Sequence, residues 1–310
     1  MKVLIINNLM SGLRDGSIFD FMRKLAQDGD EITIRNTDGT TLVEALLDEA
    51  YQYDLVVASG GDGTIASICY ALRSTGIPIL AFPAGTGNLL TQNLNQQEEP
   101  YAIIGTLREG LTLDFDIGEV SYFFNDEKVT RGFMVMSGAG YDAQIIQTSE
   151  RLKDSFGSAA YAFAALGNPN PQHAHFTIYL DDEKIEIDGI AVLIMNFARI
   201  YSDIPISHEN DARDGLLEIA VLKSHNAVEL LPAFISAFLD RSGKFPSRTD
   251  AVENFKAKHV RIESDPPLFI QHDGEARGCT TPLEASVLPR AVRLYVNRRE
   301  YERLTERDFL

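Results

Sequence analysis

The sequence predicts a doubly wound α/β domain followed by a domain of antiparallel strands. Three observations carry that expectation. Over residues 1–117 short apolar runs alternate with helix-like segments, the rhythm of a parallel sheet covered by helices. From about Asp116 onward the pattern changes to strands paired around turns rich in Asn and Asp. Two glycine-rich stretches, Ser59-Gly-Gly-Asp-Gly-Thr64 and Pro83-Ala-Gly-Thr-Gly-Asn88, each follow an apolar run and precede a helical one, which places them as ligand loops at strand C-termini.

Taken in order, Val3 to Ile6 is a strand, Ser17 to Gln27 a helix, Glu31 to Ile34 a strand and Leu42 to Tyr51 a helix. Leu55 to Ala58 is a buried strand, Thr64 to Thr75 a helix and Ile79 to Phe82 a strand, with a helical stretch at Leu89, Leu90 and Leu94. Farther along, Ser121 to Phe124 and Val129 to Val135 flank Asn125-Asp-Glu-Lys128, while Phe176 to Leu180 and Ile185 to Ile187 flank Asp181-Asp-Glu-Lys184. Both pairs read as hairpins. Helices are expected at Phe156 to Leu166 and Ala227 to Leu239, the second bent at Pro232, and a strand at Leu268 to Gln271. The domains are expected at 1–117 and 118–296, with a tail over 297–310 free to pack back on the first.

At 310 residues, 45% hydrophobic and 24% charged, the chain has room for two real cores and reads as an ordinary soluble protein. Met1-Lys-Val-Leu-Ile-Ile-Asn-Asn8 loses its apolar run too early for a signal peptide, and no segment nears the roughly 20 apolar residues that cross a bilayer. The expected location is the cytoplasm. Cys69 and Cys279 offer neither a disulfide framework nor metal-ligand spacing, and His173, His175, His208 and His272 lack zinc spacing. A net charge of -17 argues against nucleic acid as a partner, because that binding depends on neutralising phosphates with Lys and Arg. It also speaks against docking on anionic lipid by charge alone.

Three glycines around Asp62 leave backbone N–H groups open to an anion, and the helix that follows adds unpaired donors and its positive dipole end. Asp62 would repel a bare phosphate and makes sense with Mg²⁺ between carboxylate and phosphate. Alone, Gly-Gly-Asp-Gly is equally a βα turn whose aspartate caps the helix. The loop Pro83 to Asn88 and the first strand's end, Asn7-Asn-Leu-Met-Ser-Gly12, bring three small or polar loops to one sheet edge. That convergence favours a nucleoside triphosphate.

Six motifs then occur in series: Gly60-Gly-Asp-Gly-Thr64, Pro83-Ala-Gly-Thr-Gly-Asn88, Asp116-Ile-Gly118, Gly138-Ala-Gly-Tyr-Asp-Ala143, Asp214-Gly-Leu-Leu217 and Asp273-Gly-Glu275. In this order, over nearly the whole chain, they resemble the diacylglycerol kinase catalytic-domain family, lipid kinases related to sphingosine and ceramide kinases. The resemblance implies an N-terminal domain similar to NAD kinase and phosphofructokinase, a C-terminal β-sandwich, ATP between them, and a phosphotransferase acting on a lipid alcohol in phospholipid metabolism. It implies that Gly60, Gly61, Gly63 and Thr64 hold the ATP phosphates, with Asp62 orienting them through Mg²⁺. Asn8, Ser11, Gly12, Thr37, Thr86 and Asn88 would also reach the nucleotide. It further implies a structural Mg²⁺ at Asp214, with Asp211 and Leu216 as positional partners, and Glu275 as the base, at the tip of the turn after Leu268 to Gln271. The lipid would be met peripherally at a membrane surface, and the resemblance leaves room for a homodimer.

Two departures stand out. The Asn7 to Gly12 loop lacks the proline of the family's Asn-Pro-x-Ser-Gly and is one residue longer, and Leu89 stands where many members have aspartate. By residue type alone Glu275 and Asp214 are also ordinary turn residues, and Asp116 is either an electrostatic partner of the site or a turn former. The aromatic stretch with Phe156, Tyr161 and Phe163 fits a core helix or an acyl-chain groove. Rival readings are a kinase of a soluble acceptor such as NAD and a catalytically idle nucleotide- or lipid-binding regulator.

Overall fold

A computed structural model describes residues 1–12, 16–140, 171–200, 204–205, 210–223, 252–273 and 275–307. The helices expected at Phe156 to Leu166 and Ala227 to Leu239, and the motif residues Tyr141 to Ala143, lie outside the described residues. The chain forms two compact units, one of Met1–Ile117 with Arg290–Leu310 and one of Gly118–Pro289.

The first unit runs β1 (Lys2–Asn8), α1 (Ser17–Gln27), β2 (Glu31–Thr37), α2 (Val43–Leu46), β3 (Leu55–Gly60), α3 (Asp62–Ala71), β4 (Ile79–Pro83), α4 (Leu89–Asn93) and α5 (Pro100–Glu109). The strands are parallel in the order β2-β1-β3-β4, with Asn8 opposite Thr37, Asn7 opposite Ser59 and Gly60 opposite Pro83. All four C-terminal ends therefore lie at one edge, and the order reverses between β1 and β3, the crevice where such sheets take ligands. Every residue of β3 and β4 is buried, as continuous apolar runs in a two-sided parallel sheet require. Helix α1 buries Ile18, Phe21 and Leu25 along one stripe, and Phe21 meets Phe82 edge-on at 5.3 Å.

Two expectations change here. The helix expected over Leu42 to Tyr51 is only α2 and a 3₁₀ turn at Ala50–Gln52, because Glu49 takes a left-handed conformation at φ 63°. Helix α3 begins at Asp62 instead of Thr64, with Gly61 as its N-cap. Helix α5 was not anticipated, although Pro100 in its first turn, Glu99 accepting the Ala102 N–H at 2.9 Å and Gly110 just past its end are ordinary boundary signals.

The second unit continues through the long β5 (Thr112–Phe124) into β6 (Glu127–Phe133), β7 (Met136–Gly140), β8 (Ala174–Leu180), β9 (Glu183–Gly189) and β10 (Ala191–Met195). Two short strands, β11 (Arg199–Ile200) and β12 (Ile204–Pro205), pair with each other, and β13 (Leu217–Leu222), β14 (Val252–Ala257), β15 (His259–Asp265), β16 (Phe269–His272), β17 (Glu275–Thr280) and β18 (Leu283–Tyr295) follow. One sheet has the order β14-β13-β10-β7-β16-β17. A second contains β15 between β8 and the first half of β18, with β9 outside β8. Both sheets contribute to one core: Phe176, Ile178 and Ile262 from the second, Val192, Ile194 and Ile219 from the first. The hairpins close more tightly than the sequence suggests, Phe124 pairing with Glu127 and Leu180 with Glu183. Asn125 and Asp126 both sit at positive φ, the two-residue turn that matches strand twist.

The unit boundaries, after Ile117 and after Pro289, fall inside β5 and β18. Residues 290–296, expected with the second domain, group with the first unit because Leu294 pairs in parallel with Ile79 and the Arg293 guanidinium grips Asp114 at 2.8 and 3.1 Å. Helix α6 (Arg298–Arg307) follows in the same unit, tied by the Asn95 side chain donating to the buried Glu300 at 2.7 Å.

Candidate functional site

The three loops expected to converge do so at the C-terminal edge of the first unit's sheet. Asn8, ending β1, donates from Nδ2 to Thr64 Oγ1 at 2.8 Å and accepts the Met10 N–H at 2.9 Å. Ser11 Oγ accepts the Gly61 N–H at 3.3 Å. Between the two glycine loops the Ala84 N–H donates to the Gly60 carbonyl at 3.0 Å. Thr37 closes the edge at β2, its carbonyl accepting the Leu9 N–H at 2.8 Å.

Glycine is required where these loops touch. Gly12 sits at φ +55°, and a Cβ there would lie 1.8 Å from the Ala84 carbonyl oxygen. A Cβ on Gly85 would come within 2.5 Å of the Gly61 Cα. The longer, proline-free first loop is thus seated directly on the third, and the loops meet backbone to backbone. Thr86 is exposed at the tip of the second glycine loop.

Asp62 has a role the sequence did not disclose. Its two carboxylate oxygens accept the Leu89 N–H at 3.0 Å and the Leu90 N–H at 2.9 Å. Asn88, the N-cap residue of α4, is left-handed at φ 48° and turns its Oδ1 to the Gly85 N–H at 2.8 Å, leaving the start of α4 to be capped from the neighbouring loop. The helix-cap alternative for Asp62 therefore holds for α4, not for α3, which it begins. Loss of water pushes the Asp62 carboxyl above the ordinary aspartate value, against the pull of the Leu90 and Leu89 amides. Helix α3 has Gly61, which carries no side chain, as its N-cap, so the positive end of its dipole opens where the loops meet. Leu89 contributes its amide to the Asp62 clasp. Behind it, buried Ser59 donates to Asn7 Oδ1 at 2.9 Å and Asn7 to Asn36 Oδ1 at 3.0 Å, a ladder invisible without the strand register.

Asp116 is fully buried within β5 and accepts the Arg290 N–H at 2.7 Å, so it is no turn former.

In the second unit the terminal Asp-Gly-Glu motif splits into two roles. Asp273, at φ 43°, accepts the Met134, Val135 and Met136 N–H groups at 3.1, 3.0 and 3.3 Å, and its own N–H donates to the Met136 carbonyl at 2.8 Å. Glu275 is the first residue of β17, opposite His272, instead of the tip of the turn, because the connection is shorter than expected. His272 is buried with its Nε2 3.4 Å from the Tyr122 hydroxyl.

The Asp214 turn is built differently. Asp214 accepts the Leu216 N–H on Oδ1 at 2.9 Å and the Lys256 ammonium on Oδ2 at 3.1 Å, while Asp211 Oδ1 accepts the Arg213 N–H at 3.1 Å. Among the described residues no three His, Cys, Asp or Glu side chains gather as metal ligands.

A parallel α/β unit with glycine loops at its strand ends, continued by a β sandwich, is the architecture of NAD kinases and diacylglycerol kinases. The family profile described as the diacylglycerol kinase catalytic domain matches residues 2–120, and that of the YegS C-terminal NAD kinase beta sandwich-like domain matches 135–296. The chain belongs to this family of lipid kinases. A diacylglycerol kinase of Mycobacterium tuberculosis is 26% identical over 78% of this chain and 76% of its own length. An uncharacterized Synechocystis protein is 30% identical over 77% of this chain, which spans only 54% of that relative. Among solved structures, a diacylglycerol kinase from Bacillus anthracis has a TM-score of 0.71 at 22% identity, covering 96% of this chain and 98% of its own. An Archaeoglobus fulgidus NAD kinase in complex with ATP has a TM-score of 0.53 at 11% identity, covering 99% and 98%. Both share the fold.

Proposed function

We propose that this protein transfers the γ-phosphoryl group of ATP to the hydroxyl of a lipid alcohol, with diacylglycerol as the first acceptor to test. The observation that carries the reading is the meeting of three loops, two of them rich in glycine, at the switch point of a parallel sheet and at the N-terminus of α3. The cradle that added Cβ atoms would fill, at Gly12 and Gly85, suits the backbone approach of a polyphosphate. Membership in a family of lipid kinases supports a lipid as the acceptor class, and an A. fulgidus NAD kinase of the same fold, solved in complex with ATP, supports ATP as the phosphoryl donor.

In this reading Gly60, Gly61, Gly63 and Thr64 hold the phosphates through backbone amides, and Asn8, Ser11, Gly12, Thr37, Thr86 and Asn88 shape the pocket. Mg²⁺, carried in on the nucleotide, would neutralise phosphate charge, and Asp62 is the acidic residue within the three loops that could face it. Because that carboxylate already holds two amides, its first task is to lock the loops together. Glu275 is assigned the base: the acceptor oxygen bonds to phosphorus, the bond to the bridging oxygen of ADP breaks, and the hydroxyl proton passes to the Glu275 carboxylate. The protein meets the lipid from the cytoplasm at a membrane surface. No helix among the described residues is long and apolar enough to cross a membrane.

The test is direct. The protein is incubated with labelled ATP, Mg²⁺ and mixed micelles of candidate lipid alcohols, with NAD as the competing acceptor, and labelled product is identified. A phosphorylated lipid is expected, and labelling of NAD alone would overturn the reading. Glu275→Gln should lower kcat by about 10²- to 10⁴-fold while keeping ATP affinity and melting temperature. A fall confined to lipid affinity would remove Glu275 from the base role.

A further inference from the structure

The family resemblance calls for a divalent cation at the Asp214-Gly-Leu-Leu217 turn, and the residues present do not fit one. Mg²⁺ takes near-octahedral oxygen ligands at about 2.0–2.1 Å and gives up its water reluctantly. Here Asp214 Oδ1 is engaged by the Leu216 N–H within its own turn, and Oδ2 carries the Lys256 ammonium at 3.1 Å. The Asp211 carboxylate is turned to the Arg213 N–H, and its carbonyl accepts the Asp214 N–H at 3.3 Å. A metal bound to Asp214 would sit against a resident positive charge and would have to displace it.

The ammonium arrives by strand register. Lys256 lies on β14 opposite Glu218 of β13, and β13 begins one residue after Leu216. The pairing that builds the sheet edge thus delivers a lysine beside the turn, with the Glu218 backbone directly across from it. Both partners are partly shielded, the Asp214 side chain being 28% and the Lys256 side chain 34% exposed. A monovalent charge on a flexible stem meets one carboxylate oxygen without asking for a ligand cage.

We propose that Lys256 supplies the positive charge at this turn, so that the Asp214 loop is held by an internal ion pair and needs no structural divalent cation. The inference goes beyond the kinase reading and does not depend on it: it concerns the nucleotide-free protein, and its readout is stability.

Two measurements test it. Melting temperatures of the nucleotide-free parent and Asp214→Asn are compared in excess EDTA and in millimolar Mg²⁺. Asparagine keeps an oxygen for the Leu216 N–H, so the turn should fold. The same Mg²⁺ response in both proteins is expected, because any rise then comes from the acidic surface at large. A larger Mg²⁺-dependent rise in the parent overturns the proposal. Separately, Lys256→Met is made in the parent and in Asp214→Asn. It should lower the melting temperature by about 1–4 °C in the parent and by clearly less in the Asp214→Asn background. An equal drop in both backgrounds overturns the ion-pair assignment, and a failure of lipid phosphorylation bears on neither result.

Discussion

The glycine loops of the first unit and the Asp-Gly turns of the second use the same dipeptide in opposed ways. Asp62 and Asp273 both reach across the fold: one gathers the Leu89 and Leu90 amides, the other those of Met134, Val135 and Met136. Asp214 stays at home, bonded to its own turn and to a lysine. The difference lies in what the neighbouring backbone offers. A helix start and a strand entry present unpaired N–H groups that a buried carboxylate satisfies, whereas an exposed turn offers only its own. In the first unit such a staple ties the two glycine loops together at the switch point of the sheet. In the second it fixes the hairpin that carries Glu275.

The widest contrast is expected between glycines that meet backbone and glycines that meet nothing. Gly12→Ala puts a Cβ 1.8 Å from the Ala84 carbonyl oxygen at a left-handed φ, so the first loop must leave the third. Turnover should fall by at least about 100-fold, the scale of a misplacement near 1 Å. Gly278→Ala, at φ +70° with open space around it, should cost only about 1 kcal/mol and leave kcat unchanged. Steady-state kinetics and thermal melts on both variants check this, and similar activity losses would erase the contrast.

Next in size is the staple of the second unit. Asp273→Ala deprives three buried amides of their acceptor and should destabilise the protein by about 3 kcal/mol in urea unfolding. A change within about 0.5 kcal/mol would mean that Asp273 is an ordinary turn residue.

Asp62→Asn should act mainly on the site. It keeps one acceptor oxygen and loses the other, so the two glycine loops separate slightly. ATP-dependent turnover should drop by about 10-fold or more with a nearly unchanged melting temperature. Unaltered turnover would show that the clasp is idle.

The smallest effect distinguishes carboxylates by the sign of their pH dependence. Burial holds the folded Asp62 pKa above its unfolded value, so its contribution is present at acid pH and is lost as pH rises through the folded pKa. Asp30, hydrogen-bonded by Arg108 and by the Met1 ammonium, is held below its unfolded value. Its contribution is present above the unfolded pKa and is lost as pH falls through the folded one. The stability difference between parent and Asp62→Asn should therefore decline with rising pH, and that between parent and Asp30→Asn should grow. Equilibrium unfolding from acid to neutral pH gives both slopes, and parallel slopes would contradict the electrostatic account.

Sequence reading by itself reached the elements whose signals are local. Alternating apolar runs located β1 to β4, and the run of Ile18, Phe21 and Leu25 marked α1 to its ends. Glycine after a strand and before a helix located both glycine-rich loops, where an added Cβ at Gly60 or Gly85 would strike a neighbour. The same local rules overextended the helix at Leu42, where nothing in the letters announces that Glu49 turns left-handed, and they overlooked α5 although its proline and capping glutamate were in view. What tertiary structure alone decided is where each polar group finds its partner. That Asp62 caps α4, that Asp116 is buried against the Arg290 amide, and that Lys256 answers Asp214 all depend on strand order and register, which join residues 27, 174 and 42 positions apart. A carboxylate's partner is set by the backbone amides and charges that packing brings within about 3 Å, and a one-dimensional pattern carries no record of that distance.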